Sequence, residues 1–437
     1  MGHHPGSFLP SPRAGARRAH RHVWACPGTI AITTTPIADV VAMKITKVET
    51  LEIDLSGQNG MALWRPIFAR VHTDAGICGL GEASLAFGTA SEAVGPMIRK
   101  LAERFVLGHD PNDTETIWEQ MLRQSFWAQG GGPVIFGAMS ALDAALWDIK
   151  GKAAGLPVHR LLGAKTPEPL RCYASQLHFG WEAQHRMHDD PAEYRETAQR
   201  VREESYDCVK LCPVYVAAGG GRARHRSLLT PQNRKLARAR MESVREAVGS
   251  DVDIILELNG LTSAASALQI ADFCAEFDIL LIEEPTHYNS PDAHLKVASR
   301  SPIPMATGER LYTRWGFLPY LQAGAIDMIQ PDVGLVGGIS EGMKIAHLAH
   351  AYDIGVQAHV CGSPLSTAIA LQFEAAIPNF EIHEHHTFSL KSCNRDLFEE
   401  DLQPVNGRLA VPTAPGFGMT LRKDAEAHME KTTVSLK

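Results

Sequence analysis

Nowhere does this 437-residue chain carry an apolar run approaching the roughly 18 to 20 residues that a membrane-crossing helix needs, which excludes a helical span. Basic charge is also short. Lys and Arg number 42 against 49 Asp and Glu, a formal charge of -7. The concentrated positive surface that neutralises a nucleic-acid backbone is therefore missing, although a small anionic substrate could still meet a local cation. Cysteine is scarce: eight residues with no CxxC pair among them give neither a disulfide framework nor a zinc knuckle. A reducing, cytoplasmic setting fits that usage. What remains, 45% apolar and 21% charged, is the composition of an ordinary folded protein.

The first 42 residues differ from the rest, being rich in Pro, Gly, Arg and His with no periodic apolar pattern, and read as a disordered extension without a signal-peptide core. A plainer reading starts translation at Met43, where an alternating, strand-like run begins. Segments 44–55 and 65–73 read as strands joined by the loop SGQNG, and TDAGICGLGE reads as the turn that follows. Helical patterns then occupy about 90–160, so the opening unit, residues 43–168, is expected to be an α+β domain. From Leu170 eight short apolar runs alternate with helical stretches: LRCYASQ, DCVKLCP, VDIILELN, ILLIEEP, IPMATGE, AIDMIQPD, GVQAHV and NFEIHE. Eight strand-helix units over residues 169–390 suit a closed (β/α)8 barrel of the TIM type, fold class α/β. A doubly wound open sheet would want a Gly-rich phosphate turn after its first strand, and ASQLHFGW is not one.

A barrel of this kind places its chemistry at the C-terminal ends of its strands. Glu257, Glu283 and Glu309 end three successive runs, 26 residues apart in each step, or one strand-helix unit. Any one of them alone reads most simply as a solvated or salt-bridged strand end. All three at equal pitch would converge within reach of one cation, and an all-oxygen set suits Mg2+ rather than zinc or copper. Asp332 and His359 stand at the next two strand ends. A carboxylate beside an imidazole orients the ring and stabilises its cation, as a base that must later return its proton requires.

With those residues in place the chain resembles a known family. The segment Ala138 to Gly163 is similar to the first signature of the mandelate racemase and muconate lactonizing branch of the enolase superfamily. The order Glu257, Glu283, Glu309, Asp332, His359 and Glu384 follows its mandelate racemase-like subgroup, over roughly residues 43–425. The resemblance implies a modified, enolase-like barrel under an N-terminal capping domain, with segment 391–437 packing on the cap. It further implies one Mg2+ per subunit held by the three glutamates, His359 with Asp332 as base, and Lys210 near the substrate carboxylate. Glu384 would be the electrophilic carboxyl, donating a hydrogen bond to an enediolate if it is protonated. Homo-oligomers, from dimers to octamers, are common in the family.

Departures from the pattern bear on the reaction. The first metal position, usually Asp, is Glu257. Racemases of the subgroup carry Lys-x-Lys, whereas here the run is Lys210-Leu211-Cys212. Cys212 could serve as the opposing base only if Lys210 depressed its pKa, and otherwise lines the pocket. With one strong base left, an elimination is expected: His359 removes the α-proton and, as imidazolium, protonates the departing β-hydroxyl. The motif GERLYTR resembles that of sugar-acid dehydratases such as D-galactonate dehydratase, but Asn259 stands where that relative has an acid histidine. An aldonate or related sugar acid is the expected substrate class, with an epimerase or lactone cycloisomerase as the alternative and a non-catalytic binding subunit behind both.

Gln176, His178, Asn259 and Arg310, with His385 and His386 beside Glu384, are candidate hydroxyl ligands. The run HEHH reads as a wet polar loop rather than a second metal site. The resemblance also brings loops 56–66 and 82–90, with Trp64 and Arg65, over the barrel mouth. The insertion from Val214 to Lys235 reads equally as a mobile surface loop and as a basic lid.

Overall fold

The computed structural model describes residues 43–165, 167–223, 225 and 227–436, and the extension read as disordered lies outside them. Alternation builds the first layer. Strands β1 (Ile45–Glu52) and β2 (Ile67–Thr73) pair antiparallel, with Leu51 opposite Phe68. The segment read as a turn contains a third strand, β3 (Cys78–Glu82), for only Asp74 to Gly76 are needed to reverse the chain. Its glycines conceal it from propensity: a Cβ at Gly79 or Gly81 would lie 2.0 Å from a backbone oxygen of the helix packed upon it. On the other edge β1 pairs with the C-terminal strand Glu430–Ser435, so the ends of the described chain close one four-stranded sheet.

Helices α1 (Ser91–Leu101), α2 (Thr114–Gln124) and α3 (Pro133–Ala154) cover this sheet. The last holds most of the signature segment. It starts with Pro133 in its first turn, ends on left-handed Gly155, and is buried over most of its length, which explains its apolar residues all round.

The barrel strands are β4 (Leu170–Ser175), β5 (Cys208–Leu211), β6 (Asp253–Glu257), β7 (Ile279–Glu283), β8 (Met305–Thr307), β9 (Met328–Ile329), β10 (Gly355–Val356) and β11 (His383–His386). Each pairs parallel with its sequence neighbour, and β11 returns to β4. The circle closes beside β10, where Val356 donates to Asn379 O at 2.7 Å and Glu381 N donates to Val356 O at 3.0 Å. Strands buried on both faces read as continuous apolar runs, which is why IILE and ILLIE were visible in the sequence.

Among the described residues seven helices of eight residues or more join the strands, and several begin where a side chain caps them. Asp190 and Glu193 form a capping box for Pro191–Glu203, Thr230 caps Pro231–Val248, and Ser363 caps Pro364–Glu374. After β11 the described chain forms no eighth long helix: single turns at Thr387–Leu390, Ser392–Arg395 and Lys423–Glu426, and a short strand Arg408–Leu409 antiparallel to β4, lead to the cap sheet.

Candidate active site

Inside the barrel the two-residue period of the strands sorts side chains into layers. Tyr173, Cys208, Ile255, Leu281, Ala306 and Ile382 form one buried apolar plug. Two residues further along, on the same inward face, come Ser175, Lys210, Glu257, Glu283 and Glu384. A charged layer therefore rests on a dry floor. Glu257 and Glu283 are also direct partners across the β6–β7 ladder, which sets their carboxyls side by side. Glu309 arrives two residues past β8 by way of Gly308, where a Cβ would stand 2.6 Å from the backbone of Gln330.

Lys210 Nζ lies 2.8 and 3.0 Å from the two oxygens of Glu283, 2.8 Å from Glu384 and 3.6 Å from Glu257. Burial works against its charge, but the carboxylates of Glu283 and Glu384 outweigh that and raise its pKa well above the usual range. Glu384 accepts from Ser175 Oγ at 2.5 Å and from Val360 N at 2.9 Å. Burial would raise its pKa, yet Lys210 and His359 overcome this and hold it below the ordinary carboxylate range. The condition for donation, a protonated Glu384, is not favoured by these surroundings: two donors and a lysine stabilise the anion. Glu257 behaves oppositely, since burial and the charge of Glu283 push its carboxyl well up.

One oxygen from each of Glu257, Glu283 and Glu309 lies within 4.8 Å of the other two, the one such cluster among the described residues. Glu257 Oε2 is buried and accepts no hydrogen bond. An unsatisfied buried polar atom costs about 1–3 kcal/mol. An all-oxygen set with excess negative charge and a vacant lone pair fits a hard divalent cation. Beside it His359 Nδ1 is 2.7 Å from Asp332 Oδ2, and Nε2 is 3.3 Å from Glu309. Asp332 also accepts from Gly334 N at 2.7 Å, which fixes its other oxygen. Burial disfavours the imidazolium, but Glu309 and Asp332 prevail and raise His359 to about 10.

A cavity of about 640 Å3 opens above this layer, and Gln176, Asn259, Glu309, Arg310, His359 and His386 line it. Arg310 is half engaged already, forking onto Glu284 and lying 3.3 Å from Glu309. The cap supplies Met61, Leu63, Ser84 and Phe87 from the two expected loops. Five of the expected substrate-binding side chains, Trp64, Arg65, His178, Cys212 and His385, do not line it. Trp64 is fully buried, its indole N–H bonded to Asn394 Oδ1 at 3.0 Å, while Arg65 turns to Glu52 and Glu430 at 3.6 and 3.7 Å. Cys212 follows the end of β5, where the two-residue alternation stops, and packs in the outer core between strands and helices. Burial pushes its thiol up to about 12, so Lys210 does not activate it as a base. Its amide donates instead to His178 Nδ1 at 3.1 Å, and His178 is buried behind the wall.

The run HEHH is strand β11, fully buried, and not a wet loop. His383 and His385 point outward to Glu374 and to the Tyr206 hydroxyl, both at 2.6 Å, while Glu384 and His386 face inward. Sequence reasoning missed Ser175, Gln330, whose amide donates to Glu283 at 2.6 Å, and His185. Ser175 could have been found by counting two residues on from Tyr173, whereas His185 lies in an irregular segment with no period to follow. From the insertion, Tyr215 and Arg222 reach the cavity, the guanidinium 5.0 Å over the phenol ring.

A closed parallel barrel with carboxylates and a His–Asp pair at its strand ends, beneath an antiparallel cap, defines a barrel enzyme whose carboxylate cluster could hold a cation. The comparisons with known proteins give the family. Residues 60–163 match the mandelate racemase/muconate lactonizing enzyme N-terminal domain, and residues 193–425 match the enolase C-terminal domain-like family. The chain belongs to the mandelate racemase/muconate lactonizing enzyme family of the enolase superfamily. It is 33% identical over 399 residues to D-xylonate dehydratase of Haloferax volcanii, covering 91% of each chain. A crystal structure from Zymomonas mobilis ZM4 assigned as a dehydratase is 42% identical with a TM-score of 0.87, over 90% of this chain and 100% of that one. An enolase-superfamily member from Salmonella Typhimurium is 41% identical, TM-score 0.86, with the same coverage. Within its superfamily the chain is an enzyme of the lyase kind.

Proposed function

We propose that the protein is a Mg2+-dependent dehydratase of sugar acids, aldonates or aldarates, forming 2-keto-3-deoxy acids. The observation that carries this reading is the pairing of a single base, His359 on Asp332, with a buried trio of carboxylates. Glu257, Glu283 and Glu309 would hold the cation, which when bound neutralises the substrate carboxylate and the negative charge that develops on it.

Asp332 fixes the tautomer, so that Nε2 is the nitrogen free to accept a proton from neutral His359. Glu309 is the foremost of the charges raising His359 to about 10, and engaging that carboxylate elsewhere releases Nε2 as a base. Nε2 then removes the proton α to the carboxylate. The electron pair from that C–H bond forms the C2–C3 double bond, the C3–O bond breaks, and the imidazolium returns the proton so that hydroxide leaves as water. The resulting enol becomes the 2-keto-3-deoxy acid. One base on one face suffices. The epimerase alternative needs a second base, yet Cys212 is buried at about 12 and Lys210 is bound to two carboxylates.

A screen of aldonic and aldaric acids with Mg2+, read as semicarbazide-reactive keto acid, tests the proposal. Product is expected from wild type and none from His359→Asn, with Mg2+ binding retained. Deuterium washing from D2O into recovered substrate at C2, without keto acid, would refute dehydration in favour of epimerisation.

A further inference from the structure

Part of the cavity wall is built from polar side chains that the chemistry at His359 does not use. Gln176 follows β4 with a left-handed φ of 72°, a conformation few side-chain-bearing residues adopt without a reason. It is 8% exposed, lines the cavity, and its Oε1 is buried without a hydrogen-bond partner. His185 lies between the rings of Phe179 and Phe388, with centroids 4.6 and 5.2 Å away. Its Nδ1 is likewise buried and unsatisfied. His386 shares the inward face of β11 with Glu384 and lines the same cavity. Its Nδ1 accepts from the Phe388 amide at 3.2 Å, which leaves the proton on Nε2 as a donor.

These groups are held in place rather than left loose. His185 N donates to Asn59 O at 2.7 Å and Arg186 N to Phe179 O at 3.1 Å, so the segment after β4 is tied to the cap and to itself. Buried polar atoms are ordinarily satisfied, and two orphans on residues that line one cavity, beside a fixed donor, call for a ligand that supplies both donors and acceptors. Hydroxyl groups do both. Flanking aromatic rings suit the C–H faces between them.

We infer that Gln176, His185 and His386 form a polyol subsite that hydrogen-bonds the hydroxyls of the substrate beyond its two reacting carbons, so that the enzyme selects a hydroxylated chain over a short one. The inference rests on the proposed function and names the part of the substrate this wall reads. None of the three residues need exchange a proton with substrate; they act by position and polarity.

The test compares kcat/KM for D-xylonate with that for 2,3-dihydroxybutanoate, which keeps the reacting carbons and lacks the distal hydroxyls. In Gln176→Met and in His185→Phe the preference for the longer acid is expected to fall about tenfold each. An unchanged ratio in both would overturn the inference. A second readout needs no turnover: calorimetric binding of a 3-deoxyaldonate, which has no β-hydroxyl to lose, to the full chain with Mg2+. Weaker binding in both variants supports the subsite even if no acid yields keto product, an outcome that would instead remove the dehydratase reading. Equal binding to wild type and both variants refutes the subsite whatever the turnover.

Discussion

Replacing Lys210 by Met, a side chain of similar length, removes the one cation among the described residues in direct contact with Glu283 and Glu384 and leaves both carboxylates buried over an apolar floor. Breaking a buried ion pair by deleting one partner costs about 3–5 kcal/mol, because the remaining charge is uncompensated. In chelator-treated protein at neutral pH the thermal midpoint of Lys210→Met should therefore fall by about 5 °C or more. The loss should shrink in acid. Glu384 is held below its ordinary range chiefly by Lys210, so its stabilising contribution is present above the unfolded value and disappears as pH falls. Mg2+ at a hundred times its dissociation constant adds about 2.7 kcal/mol to any protein that binds it only when folded. The variant, with more uncompensated negative charge, should be stabilised by Mg2+ more than wild type. Differential scanning fluorimetry with and without Mg2+, across pH, reads all three effects. A variant as stable as wild type in chelator would mean that the carboxyls around Lys210 carry protons and that the ionised layer does not exist.

Two further outcomes follow from the same geometry. Because burial and Glu283 raise the pKa of Glu257, Mg2+ should release a proton as it binds and bind more tightly as pH rises; calorimetry in buffers of different ionisation heat measures the release, and a pH-independent affinity with none would contradict the raised Glu257. Arg240 is buried and donates to the carbonyls of Pro213 and Val216 at 2.8 Å and of Asp189 at 2.7 Å, anchoring the insertion to the segment after β4. Arg240→Met should cost about 2–4 kcal/mol and open the insertion to limited proteolysis, whereas an unchanged cleavage pattern would deny it that anchoring role.

The barrel was legible because its signals are periodic. Parallel strands covered on both sides read as short apolar runs, and a fixed strand-helix pitch carries Glu257, Glu283 and Glu309 forward in equal steps. Asp332 and His359 were found by the same rule of strand ends. What stayed hidden depends on breaks in period or on partners distant in sequence. Strand β3 is glycine-rich because α3 presses on it, so its residues score as a turn. Cys212 continues the parity of Lys210 on paper, but the strand has ended and the thiol packs outward. Trp64 and Arg65 sit in the expected loop, yet Asn394 and Glu52 claim their polar atoms, and neighbouring Met61 and Leu63 reach the cavity instead. The charge on Glu384 could not be read at all, since Ser175, Val360 and Lys210 come from three other strand ends.

The layering inside the barrel also explains why the chemistry belongs above it. Tyr173, Ile255 and Leu281 fill the space below the charged residues, so no water can solvate those carboxylates from beneath. Two residues along each strand, Lys210 offsets part of the negative charge, and the rest can be compensated only from the cavity side. A site built this way is unstable with respect to its own charge unless something cationic enters at Glu257, Glu283 and Glu309. Once that happens an anion is drawn to the same place, beside His359 and against the wall of Gln176 and His386. Strand period sets the floor, the floor sets the charge imbalance, and the imbalance favours a cation, with which the proposed carboxylate substrate would bind.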